Sequence, residues 1–266
     1  MLMKKTPKIL RKEKMETRLN KFVAANSEFA RRKADELIGQ GRVTVNNKLV
    51  LEPGTQIDSE KDDVRLDGER LKEKTKKIYI LLNKPAGIIT STDDDKNRQT
   101  VIDILNIRDK VFPVGRLDYE TTGLLILTND GDFTNLLTHP SHRVPKTYIV
   151  KLSKVLEEKH KDKLTAGIRI EGRKTAPAKI TFPYKNDLST VSITITEGRN
   201  RQVRRMFEFY GYFVRKLHRD SYGILTLGNL KPGEWRRLTI DEVNKLKDVK
   251  LIKGNERAKR THKKTT

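Results

Sequence analysis

The sequence predicts an α+β arrangement around a mixed sheet, preceded by a small α/β unit. Residues 78–247 interleave short β-rich runs with helical patterns and lack the regular strand-then-helix alternation of a doubly wound sheet. The composition also changes abruptly at Ile78–Leu82, where a buried-strand signature follows a charged, turn-like stretch. We therefore expect a first unit over residues 17–75, with a boundary near residues 75–77.

The first unit is predicted to contain two helices and a hairpin. Leu19, Phe22 and Val23 recur at helical spacing, and Ser27 is a candidate N-cap for the second helix, which would end at Gly39 to Gly41. That helix opens with three basic residues, Arg31, Arg32 and Lys33. A hairpin is predicted from the Asn46-Asn47 pair, which tolerates positive φ, and from the alternating apolar residues around it, namely Val43, Val45, Leu49 and Leu51.

In the second unit, β-rich runs predict six strands and helical patterns predict five helices. The strands are expected at Ile78–Leu82, Gly123–Thr128, Thr147–Leu152, Ala178–Phe182, Thr190–Thr196 and Phe213–Leu217. The helices are expected at Val101–Leu105, Asp132–Thr138, Glu157–Leu164, Arg201–Tyr210 and Asp241–Leu246.

The composition excludes several classes of site. The chain has 266 residues, 57 Lys and Arg against 35 Asp and Glu, a formal net charge of +22 and no cysteine. Disulfides, Cys-based metal sites and a cysteine nucleophile are therefore excluded, and a reducing cytoplasm is the expected location. No window approaches about 18 uninterrupted apolar residues and the start lacks a secretory signal, so neither a membrane nor export is expected.

The positive charge is concentrated in three places, which indicates a polyanionic partner such as nucleic acid. Residues 1–16 hold six Lys/Arg against two Glu, and residues 250–266 hold seven against one. We expect a basic flexible arm over residues 1–16 and a basic flexible tail over residues 248–266. A third cluster, Gly198–Arg219, holds seven basic residues against one Glu and is interleaved with apolar residues at helical spacing, which would hold its arginines on a fixed surface.

No cofactor or metal is expected. The sequence has neither a G-x-G-x-x-G fingerprint after a strand nor a phosphate-binding P-loop. His139 and His142 lie three residues apart but flank Pro140 in a predicted loop without a third ligand nearby.

The stretch Val111–Phe133 places a carboxylate on a braced loop. Gly115 permits a sharp turn, Arg116 and Asp118 follow it, and an apolar strand begins after Gly123. A loop aspartate most often only caps its turn, so this pattern alone leaves the role of Asp118 open.

This stretch resembles the catalytic motif of pseudouridine synthases, and other motifs of that family follow in order. Asn83–Gly87 is similar to the opening motif, Lys146-Thr147-Tyr148 to the tyrosine motif and Glu197–Met206 to the basic motif, and Leu217–Leu238 completes the order. The first unit resembles the alpha-L RNA-binding module of a small-subunit ribosomal protein. The chain is thus identified as a member of the RsuA/RluB-type rRNA pseudouridine synthases, which implies a mainly antiparallel central sheet with flanking helices.

The resemblance implies a reaction that needs no redox centre and no group donor. The bond from ribose to the glycosidic nitrogen breaks, the base rotates, and carbon five forms the new bond. Asp118 would act as nucleophile or stabilising anion; whether it attacks C1′ or C6, or acts first as a base, stays open.

The resemblance also implies roles for residues around Asp118. Arg204 would keep the carboxylate ionised, since a guanidinium is permanently charged and can donate two hydrogen bonds to it. Tyr148 would stack on the base and assist removal of the C5 proton, and Leu217 would pack beneath the carboxylate. The alternatives are a phosphate-facing arginine for Arg204 and ordinary core positions for Tyr148 and Leu217.

The expected partner is rRNA or a ribosomal subunit assembly intermediate, bound by a protein that we expect to be a monomer. The target uridine would be extruded from its helix. Phosphates would contact Arg116, Arg199, Arg201 and Arg205, and a neighbouring stem would contact Arg31, Arg32 and Lys33. The residues around Thr175–Lys179 and His139–Ser141 resemble the large-subunit members of the family more than the small-subunit members, which implies 23S rRNA as the substrate. A 16S rRNA enzyme and a non-catalytic assembly protein are the alternatives. A base methyltransferase is disfavoured, because the sequence has neither a cofactor-binding loop nor a thiol.

Overall fold

The computed structural model describes residues 16–72, 76–92, 94 and 96–248. These residues form two compact units that divide between Lys76 and Lys77. The expected arm and tail lie outside the described residues, apart from Glu16 and Asp248. Within the described residues, no helix has the length and apolar character needed to cross a bilayer.

The first unit packs two helices against short antiparallel strands. Its elements are β1 (Glu16–Arg18), α1 (Leu19–Asn26), α2 (Arg31–Gly39), β2 (Val43–Val45), β3 (Lys48–Leu49), β4 (Gln56–Asp58), β5 (Val64–Leu66) and β6 (Glu69–Arg70). The strands form a sheet of order β3-β2-β5-β6 and a separate β1–β4 pair. The core combines helix residues such as Leu19 and Leu37 with strand residues such as Val43 and Val64.

One local expectation for this unit needs correction, and one is confirmed. Ser27 is not the N-cap of α2, because Ala30 occupies that position and the Ser27 hydroxyl accepts a bond from the Phe29 nitrogen at 3.2 Å. Leu49 is 59% and Leu51 56% exposed, so the far side of the hairpin is not buried. Asn46 and Asn47 do adopt positive φ, as the hairpin requires.

The second unit is an α+β body around a large mixed sheet. Its elements are β7 (Tyr79–Lys84), α3 (Val101–Leu105), β8 (Phe112–Pro113), β9 (Thr122–Thr128), α4 (Gly131–Thr138), a 3-10 turn (Pro140–His142), β10 (Lys146–Leu152), α5 (Glu158–Ala166), β11 (Arg169–Ile170), β12 (Arg173–Lys174), β13 (Lys179–Thr181), β14 (Thr190–Ile195), α6 (Gln202–Glu208), β15 (Val214–Tyr222), β16 (Leu225–Thr226), β17 (Trp235–Arg237) and α7 (Ile240–Lys247). The predicted helix Arg201–Tyr210 is shorter by one residue at its start and two at its end.

The sheet is mainly antiparallel, in agreement with the fold that the resemblance implies. Its main path has the order β13-β14-β10-β15-β9-β7-β17, with β16 paired to β15 and β8 to β9. The β9–β15 pair is parallel and joins the two halves of the sheet at His218–Thr122 and Arg219–Gly123. β15 begins one residue later and runs five residues further than the predicted strand Phe213–Leu217.

Gly123 permits the close approach at the parallel pair. Its φ is +105°, and a Cβ there would lie 2.7 Å from the Arg219 nitrogen and closer still to the Arg219 carbonyl oxygen. The start of β9 and the middle of β15 therefore lie side by side.

Candidate active site

Asp118 lies on the loop between β8 and β9. The loop begins at Gly115, whose φ of +72° makes the turn that the sequence predicts. Leu117 is buried and is held through Thr90, whose hydroxyl donates to the Leu117 carbonyl at 2.7 Å. The Thr121 nitrogen donates to the Asp118 carbonyl at 3.0 Å, which closes the turn. The Asp118 side chain keeps 33% of its surface exposed.

Lys84, at the end of β7, holds this loop in place through hydrogen bonds to its backbone. It is fully buried, and its Nζ donates to the carbonyls of Pro85 (2.9 Å), Tyr119 (3.1 Å) and Thr121 (3.0 Å), with a longer contact to Asp118 (3.3 Å). Burial lowers the pKa of Lys84 to about 8, while Glu120 and Asp118 act in the opposite direction. The sequence-based prediction did not include Lys84, although it stands in the Asn83–Gly87 motif.

Two guanidinium groups stand beside the carboxylate. Arg204 Nε lies 3.8 Å and Arg201 Nη1 lies 3.7 Å from Asp118 Oδ2. Arg204 also donates from Nη1 to the Val214 carbonyl at 3.0 Å, and its buried Nε has no hydrogen-bond acceptor among the described residues. The two hydrogen bonds expected between Arg204 and Asp118 are therefore absent, and the pair is a longer-range ion pair. Burial, followed by the nearby Arg201, lowers the pKa of Arg204.

A pocket opens beside Asp118, with its floor on β10 and β15. Tyr148 and Leu217 line it, and they are 8% and 6% exposed. The empty volume is about 740 Å³ when the open mouth is included. Arg204 lines a second cavity, which Asp118 also lines, together with Val214 and Lys216.

The predicted phosphate-binding arginines fall into two groups. Arg116, Arg199 and Arg201 line the pocket. Arg199 is already bonded within the protein, since its guanidinium donates to the carbonyls of Arg173 (3.1 Å) and Lys174 (2.6 Å). Arg205 is absent from the residues lining the pocket and forms an ion pair with Glu171.

The basic cluster of the first unit is exposed at the start of α2. Arg31, Arg32 and Lys33 all lie on its surface. Lys33 forms an ion pair with Glu36 at 2.7 Å, and Arg31 contacts Asn20 Oδ1 at 3.4 Å.

Lys146 and Arg219 also line the pocket, and the sequence-based prediction did not include them. Both are buried, at 8% and 2% exposure. Strand alternation was the available signal for Lys146, because a residue two positions before Tyr148 shares its face.

His139 and His142 each contact a group within the protein through Nδ1. His142 Nδ1 contacts the Leu136 carbonyl at 2.8 Å and His139 Nδ1 contacts the Ser141 hydroxyl at 2.8 Å. Over the ranges that the structure describes, no group of three His, Cys, Asp or Glu side chains is placed to hold a metal ion.

Comparison with known proteins identifies the family of both units. Residues 78–209 match the model of the RNA pseudouridylate synthase family, and residues 17–64 match the S4 domain. The chain is 45% identical over 234 residues to the ribosomal large subunit pseudouridine synthase B of Bacillus subtilis (strain 168), covering 86% of this chain and 95% of the relative.

Two further comparisons agree with this family assignment. The dual-specificity RNA pseudouridine synthase RluF of Salmonella typhi is 36% identical over 241 residues, covering 90% of this chain and 81% of the relative. A crystal structure of a pseudouridylate synthase superposes with a TM-score of 0.64 at 37% identity, covering 86% of this chain and 99% of the other. The chain therefore belongs to the RNA pseudouridine synthase family, in the RsuA/RluB-type branch that carries an N-terminal S4 domain.

Proposed function

We propose that this chain converts uridine to pseudouridine in rRNA and that Asp118 is the reacting carboxylate. The observation that carries the proposal is the position of Asp118, one-third exposed between the guanidinium groups of Arg201 and Arg204 and beside a pocket that Tyr148 and Leu217 line. Nucleophilic attack and stabilisation of a cationic sugar both use a negatively charged group beside the nucleotide, and the two guanidinium groups attract the carboxylate at this position.

The reaction needs only groups that lie around the pocket. The C1′–N1 bond breaks, the uracil ring rotates, C5 bonds to C1′, the C5 proton leaves and N1 takes up a proton. Asp118 reacts with the nucleotide at C1′ or C6, or takes a proton first. Tyr148 supports the base and assists the departure of the C5 proton, while Arg204 keeps the carboxylate charged.

The target uridine enters the pocket only after it leaves its helix, at a cost of a few kcal/mol of stacking. Contacts to the neighbouring phosphates offset that cost. Arg116 and Arg201 are exposed at the pocket and suit this role better than Arg199 or Arg205, which are bonded within the protein.

We propose 23S rRNA, free or in a subunit assembly intermediate, as the substrate of a monomeric cytoplasmic enzyme. The name of the 45% identical relative, a large subunit enzyme, supports this choice over 16S rRNA. Mapping pseudouridines in 23S and 16S rRNA from a deletion strain tests it. Loss of one position from 23S rRNA is expected, whereas loss from 16S rRNA alone would contradict it.

Release of tritium from rRNA that carries the label at C5 of its uridines tests the activity itself. Wild-type protein should release tritium, and Asp118→Asn, which removes the charge with little change in shape, should release none while binding RNA as before. Asp162→Asn, at an exposed position on α5, is the matched control and should behave as wild type. If wild-type protein releases no tritium from protein-free rRNA or from assembly intermediates, the proposed activity is wrong.

A further inference from the structure

Two buried cations in the Asp118 pocket lack anionic partners among the residues that the structure describes. Over the described residues, neither Lys146 nor Arg219 has a carboxylate within 4 Å. Lys146 Nζ donates to the Val144 carbonyl at 3.1 Å, which uses one of its three donors. Arg219 Nε donates to the Leu124 carbonyl at 2.6 Å, and its buried Nη2 has no hydrogen-bond acceptor in the same part of the chain.

A break in strand register brings these cations together. β10 pairs Lys146 with Tyr222 and Tyr148 with Arg219, so Asp220 is an extra residue in β15. This bulge lets Arg219 and Tyr222, three positions apart, share the face that carries Tyr148 and Lys146. Both cations accordingly contact the Tyr222 ring, with Lys146 Nζ 4.9 Å and Arg219 Cζ 5.1 Å from its centroid.

The burial of these two cations lowers the stability of the folded protein. A buried charge without an anionic partner costs free energy, and contact with an aromatic ring compensates only part of that cost. Burial and the positive charge of Arg219 lower the pKa of Lys146 to about 8. The charged groups that face Lys146 around the pocket are Arg116, Arg199, Arg201, Arg219 and, as the one carboxylate among the described lining residues, Asp118. The pocket floor is therefore suited to an electron-rich ligand.

We propose that Lys146 and Arg219 bind the oxygen atoms of the target uracil and stabilise the negative charge of its ring during the isomerisation. The inference rests on the proposed function. When the C1′–N1 bond breaks, its electron pair stays on the base and spreads from N1 to the carbonyl oxygens. That charge is consumed when C5 attacks C1′; the C5 proton then leaves to solvent and N1 takes up a proton, which completes the isomerisation. Hydrogen-bond donors that are already fixed where the negative charge develops lower the activation barrier, because they need not reorganise during the reaction.

The position of the pair favours the base over a phosphate as its ligand. The cations share a face with Tyr148, against which the base would pack, and both are more than nine-tenths buried. The phosphates of an extruded nucleotide remain connected to the RNA outside, where Arg116 and Arg201 are exposed.

The test compares Lys146→Met, Lys146→Arg and a control, Lys151→Met, whose lysine lies on the same strand but is paired with Asp187 at 2.6 Å and does not line the pocket. The measurements are single-turnover tritium release from C5-labelled rRNA, the Kd for that RNA at several salt concentrations, and Tm. K146M should slow release by about 100-fold. The salt dependence of its Kd and its Tm should not fall below wild type, because the removed charge would contact no phosphate and has no anionic partner among the described residues. K146R should recover most of the rate.

Four results would overturn the inference. Release by K146M at the wild-type rate would show that the charge has no role in the reaction. Weaker binding with a shallower salt dependence would assign Lys146 to a phosphate. A lower Tm, or a loss of rate that K146R does not recover, would assign it to structure. The proposed function fails separately, when wild-type protein itself releases no tritium.

Discussion

Arg204 Nε lies 3.8 Å from Asp118 Oδ2 and is buried without a hydrogen-bond acceptor of its own among the residues that the structure describes. The same guanidinium is anchored through Nη1 to the Val214 carbonyl at the start of β15. Arg204 is therefore held near the carboxylate by the sheet instead of by the carboxylate itself. This geometry leaves the Asp118 oxygens available to a substrate atom.

The first prediction is that Arg204→Met slows single-turnover tritium release by about 10-fold to 100-fold, since one of the two cations beside Asp118 is lost while Arg201 remains. Arg204→Lys should retain more activity, because it keeps the charge. Arg237→Met removes an exposed arginine that pairs with Asp109 and should leave the rate unchanged. Equal rates for R204M and wild type would remove Arg204 from the mechanism.

The second prediction concerns Lys84 and the loop that carries Asp118. Lys84→Met should leave several loop carbonyls without their donor, and we expect a loss of about 2–4 kcal/mol in the free energy of unfolding. Because the loop positions Asp118, tritium release should fall even under conditions in which the variant is fully folded. Urea unfolding and single-turnover assays on the same preparation measure both effects. A variant with reduced stability but the wild-type rate would limit Lys84 to a stabilising role.

The contacts of Lys84 belong to the part of the site that the sequence does not predict. Asp118 and Tyr148 could be selected because each stands in a contiguous motif that resembles a motif of the family. The contacts of Lys84 could not, because its acceptors lie up to 37 residues away and depend on the path of a loop. Arg219 was missed for a related reason: its place beside Lys146 results from the bulge at Asp220, which no local pattern indicates. Fold class and the order of most elements follow from periodicity, whereas register and loop path require tertiary packing.

The third prediction is a rise in stability with pH. Burial lowers the pKa of both Lys84 and Lys146 to about 8, against 10.5 for an ordinary lysine. Between these values the unfolded chain binds more protons than the folded one, so the free energy of unfolding increases as pH rises above 8. Above pH 10 the raised pKa values of Tyr79 and Tyr222, both shifted mainly by burial, act in the opposite direction.

Urea unfolding at intervals from pH 7 to pH 10 measures this dependence. The wild-type protein should become more stable between pH 8 and pH 10, and Lys146→Met should reduce the slope, because one of the two lysines is removed. Stability that is flat or falls across this window in the wild-type protein would contradict the assignment of both lysines as charged and buried near neutral pH.

The fourth prediction uses two glycines as a matched pair. Gly123→Ala should destabilise the second unit by about 2–4 kcal/mol, since a Cβ would overlap the Arg219 backbone and φ is +105°. Gly131, at the start of α4, has no atom within 4 Å of the point that a Cβ would occupy and no positive φ, so Gly131→Ala should be neutral or slightly stabilising. Thermal unfolding of the two variants compares them directly. Similar Tm values would indicate that the β9–β15 pair tolerates a wider spacing.

The fifth prediction concerns RNA binding by the S4 domain. Arg31 and Arg32 are exposed at the start of α2, and neither is paired with a carboxylate in the part of the chain that the structure describes. Arg31→Glu with Arg32→Glu should weaken rRNA binding and make the salt dependence of the Kd shallower, because fewer counterions are released from the RNA.

The control for the S4 domain changes the same net charge elsewhere in the same unit. Lys48→Glu with Lys61→Glu alters two exposed lysines, one on the hairpin and one in the turn after β4. Filter binding at four salt concentrations should give a shallower slope for the arginine pair than for the lysine pair. Equal slopes would mean that the unit contributes only its overall charge, and an unchanged slope in both would place the RNA on the second unit alone.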